Sequence, residues 1–228
     1  MHSNSHSAFA PSGVITLTTD FGLKDPFVGA MKGQVLQRFA AARIVDLTHA
    51  VSVHQPAEAG FWLGRSYGYF PAGTVHVAVV DPGVGSARRI AAVEGDGHVF
   101  LAPDNGLLAG VLQRLATPPV IRHLDQALLA SLGLDRPSHT FHGRDIFAPL
   151  AAELAAGRLP PERLGARGAT LLPDGLAPPR LEADGASGAV VTIDHFGNLL
   201  TNLDAALITA IERPVVLVAG RAVPLLRT

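Results

Sequence analysis

The chain has 228 residues, enough for one large domain or two modest ones, and its 48% of apolar residues is sufficient for a well-buried core. Its net charge is -1 and its lysines and arginines form no stripe, which argues against nucleic acid as a partner. The absence of cysteine excludes disulfides, thiolate zinc sites and a cysteine nucleophile, and it is typical of the reducing cytoplasm, where we expect the protein. No stretch approaches the roughly 18 consecutive apolar residues of a membrane span, so we expect no membrane partner.

Hydrophobic periodicity predicts alternating strands and helices. The first 12 residues are rich in Ser, His and Asn and are expected to form a disordered tail. After them, β-rich apolar runs predict strands at 14–19, 43–48, 74–80 and 98–102. Apolar residues at helical spacing predict helices at 27–41, 57–69 and 107–115. This alternation predicts an α/β domain over 13–172, with a mostly parallel sheet sandwiched by helices and ligands bound at the carboxyl ends of the strands.

A change of composition marks the end of this domain. Prolines and glycines interrupt regular structure across 173–187, which we interpret as a linker. Beyond it, runs at 189–193 and 214–219 predict strands of a small β-rich domain over 188–228. About 40 residues are few for an independent core, so this domain is expected to pack on the first one or on another subunit.

Two acids follow predicted strands. Asp20, in TTDFG, can accept hydrogen bonds from ribose hydroxyls, or it can cap the helix that starts near Pro26. Asp81 begins DPGVGSARR, whose glycines allow a tight turn or a close approach to a ligand. The spacing matches no phosphate-binding loop. Asp81 and Arg88 could therefore belong to a reactive site or form a buried structural ion pair.

Three later motifs carry further polar candidates. Asp104 and Asn105, in PDNG, are residue types that favour a turn, and they could also line the crevice at the strand ends. His142, in SHTFHGRD, can serve as acid, base or hydrogen-bond partner, or as a structural histidine. A metal held by His142, Asp145 and Asp81 is conceivable, although no pair stands at ligand spacing.

The last motif, IDHFGNLLTN, combines Asp194, Phe196 and Asn198 around a glycine. Phe can stack on a planar base, and an Asn side chain offers the donor and acceptor that a purine edge requires. A β-turn with a core phenylalanine explains the same residues equally well. None of these motifs identifies a function alone.

Taken in order, TTDFG, VVDPGVGSARR, PDNG, TFHGRD and DHFGNLLTN resemble the S-adenosyl-L-methionine (SAM) hydroxide adenosyltransferases, SAM hydrolases related to fluorinase and chlorinase. The resemblance spans about residues 14–202. It implies cleavage of SAM at the 5′ carbon of the ribose by a water-derived nucleophile, giving adenosine and L-methionine without metal or other cofactor. It also implies a homotrimer with SAM bound between the first domain of one subunit and the second domain of the next.

The resemblance also assigns roles to residues. It implies that Asp81, Arg88 and His142 are catalytic. A water held by Asp81 and His142 would lose its proton to that network, while Arg88 keeps the acid ionised and stabilises developing hydroxide charge. The substrate-binding set is expected to comprise Asp20 at the ribose, Asp194 at the methionine ammonium, Phe196 and Asn198 near the adenine, together with Tyr69 and Asn105.

Alternatives remain. Halogenases of the family have Tyr-Ser where this chain has His142-Gly143, and they carry an insertion after the region of Tyr69, so hydrolysis is favoured over halogenation. A SAM- or nucleoside-binding module without turnover and a metal-dependent hydrolase are the other candidates. Family members usually continue for several dozen residues beyond the equivalent of Leu225, so the second domain is expected to be a partial β-barrel-like unit.

Overall fold

The computed structural model describes residues 9–182, 185–209, 211 and 214–225, and the chain divides into two compact units, Met1–Gly175 and Leu176–Thr228. The first unit contains one six-stranded sheet. Its strands are β1 (Val14–Thr19), β2 (Arg43–Thr48), β3 (Val75–Val79), β4 (Ile90–Gly95), β5 (His98–Pro103) and β6 (Val120–His123). Its α-helices are α1 (Phe27–Arg38), α2 (Pro56–Ser66), α3 (Ala109–Leu112), α4 (Gln126–Ser131) and α5 (Ala148–Ala155).

The sheet is mostly parallel. Its order is β2-β1-β3-β5-β4-β6, and the pairs β1 with β2, β1 with β3, and β3 with β5 are parallel. Strand β4 runs antiparallel to both of its neighbours, β5 and β6. The carboxyl ends of the four parallel neighbours therefore share one edge of the sheet, where ligands of open α/β sheets bind.

Alternating side chains of the central strands fill two cores, one on each face of the sheet. Val75, Val77 and Val79 of β3 pack in the core that also contains residues of α1 and α5. Ala78 of the same strand packs in the other core, with residues of α2 and α3. Because successive residues of a strand point to opposite faces, a mostly apolar strand such as β3, whose one polar residue is His76, is buried on both sides. The predicted α/β class is confirmed.

Several elements escaped the sequence prediction. Strands β4 and β6 and helices α4 and α5 were not predicted, so the predicted fourth strand is the fifth in chain order. The Asp96-Gly97 turn between β4 and β5 is a strong hairpin signal that could have revealed β4. The chain packs from Phe9 onward, four residues before the expected start of the domain at residue 13, because Phe9 contacts the core on the α1 and α5 side. Residues 1–8 of that tail lie outside the described residues.

The second unit consists of hairpins. Its elements are β7 (Arg180–Glu182), β8 (Gly185–Ser187), β9 (Val190–Ile193), β10 (Leu199–Thr201), α6 (Ala205–Thr209), β11 (Val216–Val218) and β12 (Arg221–Val223). The strands pair as three separate antiparallel two-stranded sheets. In the described part of this unit these short strands form no closed barrel, in contrast to the barrel-like prediction. The hairpin of β7 and β8 falls within the segment interpreted as a linker.

Across the described residues of both units, none of the helices has the length and apolar character that crossing a membrane requires.

Candidate active site

The loop after β3 folds back on itself. Its backbone closes two successive turns, with Val84 N donating to Asp81 O at 3.2 Å and Ser86 N donating to Gly83 O at 3.1 Å. The Ser86 hydroxyl then accepts a hydrogen bond from Arg88 N at 3.2 Å. These short-range bonds reverse the chain within seven residues, so the Arg88 side chain returns to the strand end from which the loop began.

Arg88 and Asp81 form a fork-shaped ion pair. Arg88 Nε lies 2.9 Å from Oδ1 and 2.8 Å from Oδ2 of Asp81, and Arg88 Nη2 also donates to Oδ2. The side chains are only 9% and 4% exposed. Charge-assisted bonds of this kind are strong and fix the orientation of both planes. The pair therefore presents a rigid carboxylate at the carboxyl end of β3.

Arg88 also contacts His142. Its Nη2 lies 2.8 Å from Nδ1 of the imidazole. A guanidinium has only donors, so Nδ1 must accept this hydrogen bond with its lone pair. The proton of the neutral ring is then on Nε2. His142 is consequently a hydrogen-bond donor at its free nitrogen, and it cannot be protonated at Nδ1 without losing Arg88.

The electrostatics agree with a neutral His142. Burial lowers the pKa of His142 below its ordinary value, and the positive charge of Arg88 lowers it further, against the opposing effect of Asp81. The imidazole is therefore uncharged at neutral pH, in the state that the hydrogen bond from Arg88 requires.

The segment before α5 holds His142 in place. His142 precedes a short π-helical turn, Gly143–Phe147. Asp145 of that turn accepts hydrogen bonds from the backbone and hydroxyl of Ser138 and from Arg144. Burial alone would raise the pKa of Asp145, but these hydrogen bonds outweigh it and lower the pKa to about 2. Asp145 therefore acts as a permanent anion that ties down the His142 loop.

This arrangement leaves few side-chain atoms available to bind a metal ion. Nδ1 of His142 is occupied by Arg88, and Asp145 is occupied by Arg144 and Ser138. Among residues 9–182, 185–209, 211 and 214–225, no group of three or more His, Asp or Glu side chains is placed to hold a metal ion. The metal site considered for His142, Asp145 and Asp81 is therefore not formed by these residues.

A close approach at Gly85 joins the two loops. Gly85 has φ +77°, and a Cβ added there would lie 2.3 Å from the carbonyl oxygen of His139. Only glycine fits both the backbone conformation and the space. Gly83, the other glycine of this turn, has ordinary φ, and a Cβ added there would make only van der Waals contacts. The turn therefore requires glycine at residue 85 but not at residue 83.

Asp20 borders one open cavity of about 210 Å³ together with two of the three catalytic candidates, Asp81 and His142, whereas Arg88 lies behind them. Its polar lining includes Asp20, Asp81 and His142, and its apolar lining includes the rings of Phe21 and Phe141. Helix α1 begins at Phe27 with no side-chain cap, so Asp20 is not the cap of this helix. Instead Asp20 Oδ2 accepts a hydrogen bond from His54 N at 3.0 Å. His54 also borders the cavity and was missed by the sequence analysis.

Two other predicted substrate contacts, Asn105 and Tyr69, do not line this cavity. Asn105 Nδ2 donates to Val80 O at 2.8 Å and its Oδ1 accepts from Leu107 N at 3.3 Å, so its amide supports the strand end next to Asp81. Tyr69 is 90% exposed and does not line the cavity. It precedes β3, whereas Asp81 follows that strand, so Tyr69 lies toward the opposite edge of the sheet, and its role in substrate binding stays a prediction.

The neighbouring Asp104 is also engaged within the protein. It is buried, and it accepts hydrogen bonds from His123 Nε2 at 2.8 Å and from Leu172 N at 2.9 Å. His123 Nδ1 in turn accepts from Arg89 at 3.1 Å. Asp104 therefore anchors the end of the loop that carries Arg88, rather than lining the cavity.

The candidates of the second unit share the turn between β9 and β10. Asp194 Oδ1 accepts from the backbone of Phe196 at 2.9 Å and of Asn198 at 2.8 Å, and Oδ2 accepts from Asn198 Nδ2 at 2.8 Å. These bonds, led by those from Asn198, lower the pKa of Asp194. The Phe196 ring is 87% exposed. This turn thus presents a fixed carboxylate beside an uncovered aromatic ring, and the alternative of a core phenylalanine is excluded.

Comparisons with known proteins identify relatives along most of the chain. The family described as the SAM hydroxide adenosyltransferase N-terminal domain matches residues 15–165. The (R)-S-adenosyl-L-methionine hydrolase of Salinispora tropica is 41% identical over 90% of this chain and 77% of that protein. The enzyme of the same name from Thermus thermophilus is 40% identical over 92% of this chain and 80% of its own.

A more distant relative and a solved structure indicate the same family. The fluorinase of Actinopolyspora mzabensis is 28% identical over 83% of this chain and 71% of that protein. A crystal structure of a conserved protein from Thermotoga maritima is similar with a TM-score of 0.76, at 36% identity over 86% of this chain and 73% of its own. The ordered motifs, the fold and these matches agree, and the chain belongs to the SAM hydroxide adenosyltransferase family.

Proposed function

We propose that this protein hydrolyses SAM at the 5′ carbon of its ribose, giving adenosine and L-methionine. The observation that carries the proposal is the position of Arg88, which donates hydrogen bonds to Asp81 and to His142 at the wall of one cavity. The names of the hydrolase relatives, at about 40% identity, support SAM as the substrate.

The reaction is a displacement at carbon. A water oxygen forms a bond to the 5′ carbon while the bond from that carbon to the sulfonium sulfur breaks, and the electron pair of the broken bond stays on sulfur. The leaving group is a neutral thioether and needs no proton. The protein must therefore supply an aligned water and a route for the proton that this water loses.

Asp81 is the group that accepts the hydrogen bond of this water. An ionised carboxylate has about four acceptor positions. Arg88 occupies one on Oδ1 and two on Oδ2. His142 has no lone pair to offer, because Nδ1 accepts from Arg88. Oδ1 of Asp81 therefore orients the water and receives its proton, while Nε2 of His142 can donate to the oxygen.

The substrate would be held by both units. Asp20 would accept hydrogen bonds from the ribose hydroxyls. Phe196 would stack on the adenine, Asn198 would lie near its polar edge, and the fixed anion of Asp194 would attract the methionine ammonium. The exposed ring of Phe196 favours stacking over a core role. The bonds from Phe196 and Asn198 keep the Asp194 carboxylate in a fixed orientation beside that ring.

A homotrimer would complete the site. The cavity beside Asp81 is below the roughly 300–1,000 Å³ typical of small-molecule sites, so further walls are needed around SAM. Leu23, Phe27 and Val53 expose apolar surface on the segments that border this cavity. In the described part of the second unit, Thr192 alone is buried. A neighbouring subunit would cover both surfaces, and light scattering coupled to gel filtration is expected to give three times the chain mass.

The reaction as written consumes only SAM and water, so we propose that it needs no metal or other cofactor. We also propose that the protein works in the cytoplasm, because a chain without cysteine needs no oxidising compartment for disulfide formation. Fractionation of cells expressing the protein would test its location.

Incubation of the purified protein with SAM, followed by chromatography, tests the activity. We expect adenosine and methionine in equal amounts, whether or not EDTA is present. Loss of product with EDTA would indicate a metal-dependent hydrolase, and SAM binding without product would indicate a binding module. A halogenated nucleoside formed in excess chloride or fluoride would indicate a halogenase.

A further inference from the structure

His54 has a backbone conformation that its side chain does not favour. Its φ is +61°, in the left-handed region. It is the third residue of a turn closed by a hydrogen bond from Gln55 N to Ser52 O at 3.0 Å. Val53, the second residue, keeps ordinary φ, so the turn has the pattern of type II, in which the third position is normally glycine or asparagine.

Among the residues that the structure describes, the two other non-glycine residues with positive φ have an ordinary explanation. Asp96 and Ala219 each precede a glycine in a two-residue loop between paired antiparallel strands, where positive φ is required for a tight hairpin. His54 precedes α2 and joins no hairpin. Its conformation therefore needs another cause, and an unfavourable backbone geometry beside a cavity is an indication of function.

The hydrogen bond to Asp20 supplies that cause. Type I and type II turns differ mainly by a flip of the peptide between the second and third residues. In this turn that peptide carries the N–H of His54, which donates to Asp20 Oδ2 at 3.0 Å. In the type I form, which histidine prefers, the same N–H would point to the opposite side. The left-handed conformation is thus what directs this donor at Asp20.

We infer that His54 is a positioning residue for Asp20, acting through its backbone N–H rather than through its imidazole. The bond fixes Oδ2 and so the plane of the carboxylate. Oδ1 has no hydrogen-bond partner in the part of the chain that the structure describes, and Asp20 borders the cavity that Asp81 and His142 also line. Oδ1 of Asp20 is thereby oriented to accept hydrogen bonds from a vicinal diol. That this diol is the ribose of SAM rests on the proposed function.

Four substitutions separate the backbone from the ring. His54→Gly, His54→Asn, His54→Ala and His54→Val all remove the imidazole but tolerate positive φ in decreasing order, with the β-branched valine last. Calorimetric titration with adenosine, the expected product, measures binding without turnover. We expect affinity to fall along this series, with the Val variant at least about tenfold weaker than the Gly variant. The Ala variant provides an intermediate value should the Val variant fold poorly.

A double-mutant cycle identifies the partner. In an Asp20→Ala background, the difference between the Gly and Val variants is expected to shrink to about onefold, because the acceptor of the N–H is gone. Asp96→Val is the matched control, since it places valine at a left-handed position between β4 and β5. It is expected to lower the melting temperature without changing adenosine affinity.

Each possible result supports or overturns the role of His54. Equal losses in all four variants would assign the effect to the imidazole and overturn the inference, and so would no loss in any of them or a difference that persists without Asp20. A protein that binds adenosine with the expected series but does not cleave SAM would refute the proposed function and leave the role of His54 intact. A protein that binds neither SAM nor adenosine would overturn both.

Discussion

Arg88 Nη2 donates to Nδ1 of His142 at 2.8 Å, while Nε of the same guanidinium donates to both oxygens of Asp81. One residue thereby fixes the orientation of the carboxylate and favours the neutral state of the imidazole. The roles of the three side chains follow from these hydrogen bonds. Asp81 accepts a hydrogen bond from the water, His142 donates one to it, and Arg88 holds both side chains in position.

Replacing Arg88 should affect the chemical step most. In Arg88→Ala we expect kcat to fall by roughly 10²–10³, the size of losing a preorganised donor, with KM for SAM changed by only a few fold. Arg88→Lys should recover little, because an ammonium cannot bond both partners in the same plane. Steady-state kinetics measure both constants, and Arg158→Ala, which alters an exposed ion pair with Glu153, is the control.

A buried acid without its partner also costs stability, about 3–5 kcal/mol when one member of a buried pair is removed. Kinetics of the Arg88 variants must therefore be measured below their melting temperatures. Equal effects on kcat and on SAM affinity, or no effect at all, would indicate that the pair is only structural.

Activity should fall in acid because of His142. Its pKa in the folded protein lies below its ordinary value of 6.5. Protonation at Nδ1 removes the acceptor for Arg88, so kcat/KM should be constant above pH 6.5 and decline as pH falls through the lowered pKa. The stability that the neutral ring contributes is likewise present above pH 6.5 and lost on the same side.

His142→Asn tests this assignment. An Asn side chain can offer an acceptor to Arg88 but does not titrate, so the variant should be slower than the wild type and should lack this acidic limb. An unchanged limb in the variant would assign the titration to another group.

Two buried histidines predict that the fold itself is sensitive to acid. His76 Nδ1 lies 2.8 Å from the Thr16 hydroxyl and His76 Nε2 lies 3.2 Å from His98. Burial, with repulsion from His98, lowers the pKa of His76 to about 3, and burial also lowers the pKa of His98. The unfolded chain binds protons that the folded chain refuses, so stability is full above pH 6.5 and falls as pH drops from there toward 3.

The expected slope is up to about 1.4 kcal/mol of unfolding free energy per pH unit for each histidine. Urea unfolding at pH 7 and pH 5 measures it. His76→Gln should be less stable at pH 7 yet lose less stability between the two pH values. An equal loss in variant and wild type would refute the role of His76.

Gly85 should be needed for activity. In Gly85→Ala, a strained backbone and a Cβ 2.3 Å from the carbonyl of His139 would force the Arg88 loop away from the His142 loop. We expect a lower melting temperature and a loss of kcat of at least about tenfold, since small misplacements of catalytic groups are costly.

The control for this change is Gly33→Ala, in the interior of α1, where an added Cβ meets nothing within 4 Å and φ is ordinary. It should stabilise the protein by up to about 1 kcal/mol and leave kcat unchanged. If Gly85→Ala behaved in the same way, contact between the two loops would be unimportant for catalysis.

Sequence reasoning succeeded where the structure is local. The strands at 14–19 and 74–80 and the return of Arg88 to Asp81 depend on short-range patterns, and the structure forms them. Strand β4 was missed because its short apolar run follows the loop directly. Nothing in the spacing of residues predicts that His142 meets Arg88, since contacts between distant segments are set by packing; the family resemblance alone indicated it.

The position of other site candidates could not be predicted from the sequence. Helix α2 carries the chain from the region of His54 toward the start of β3, so Tyr69 lies toward the opposite edge of the sheet from Asp81, and its substrate role stays a prediction. His54 was missed because its contribution comes from the backbone, and positive φ at a histidine leaves no mark in the sequence. The Asn105 amide bonds the backbone of Val80 and Leu107, and its role in substrate binding stays a prediction.

The most direct test of the account is the source of the oxygen in the product. SAM is incubated with the protein in water enriched in ¹⁸O, and the nucleoside is analysed by mass spectrometry. The account predicts adenosine that carries one ¹⁸O, located on the 5′ carbon, together with unlabelled L-methionine, and a rate that collapses in Arg88→Ala. Adenosine without label, label in methionine, or no adenosine at all would contradict it.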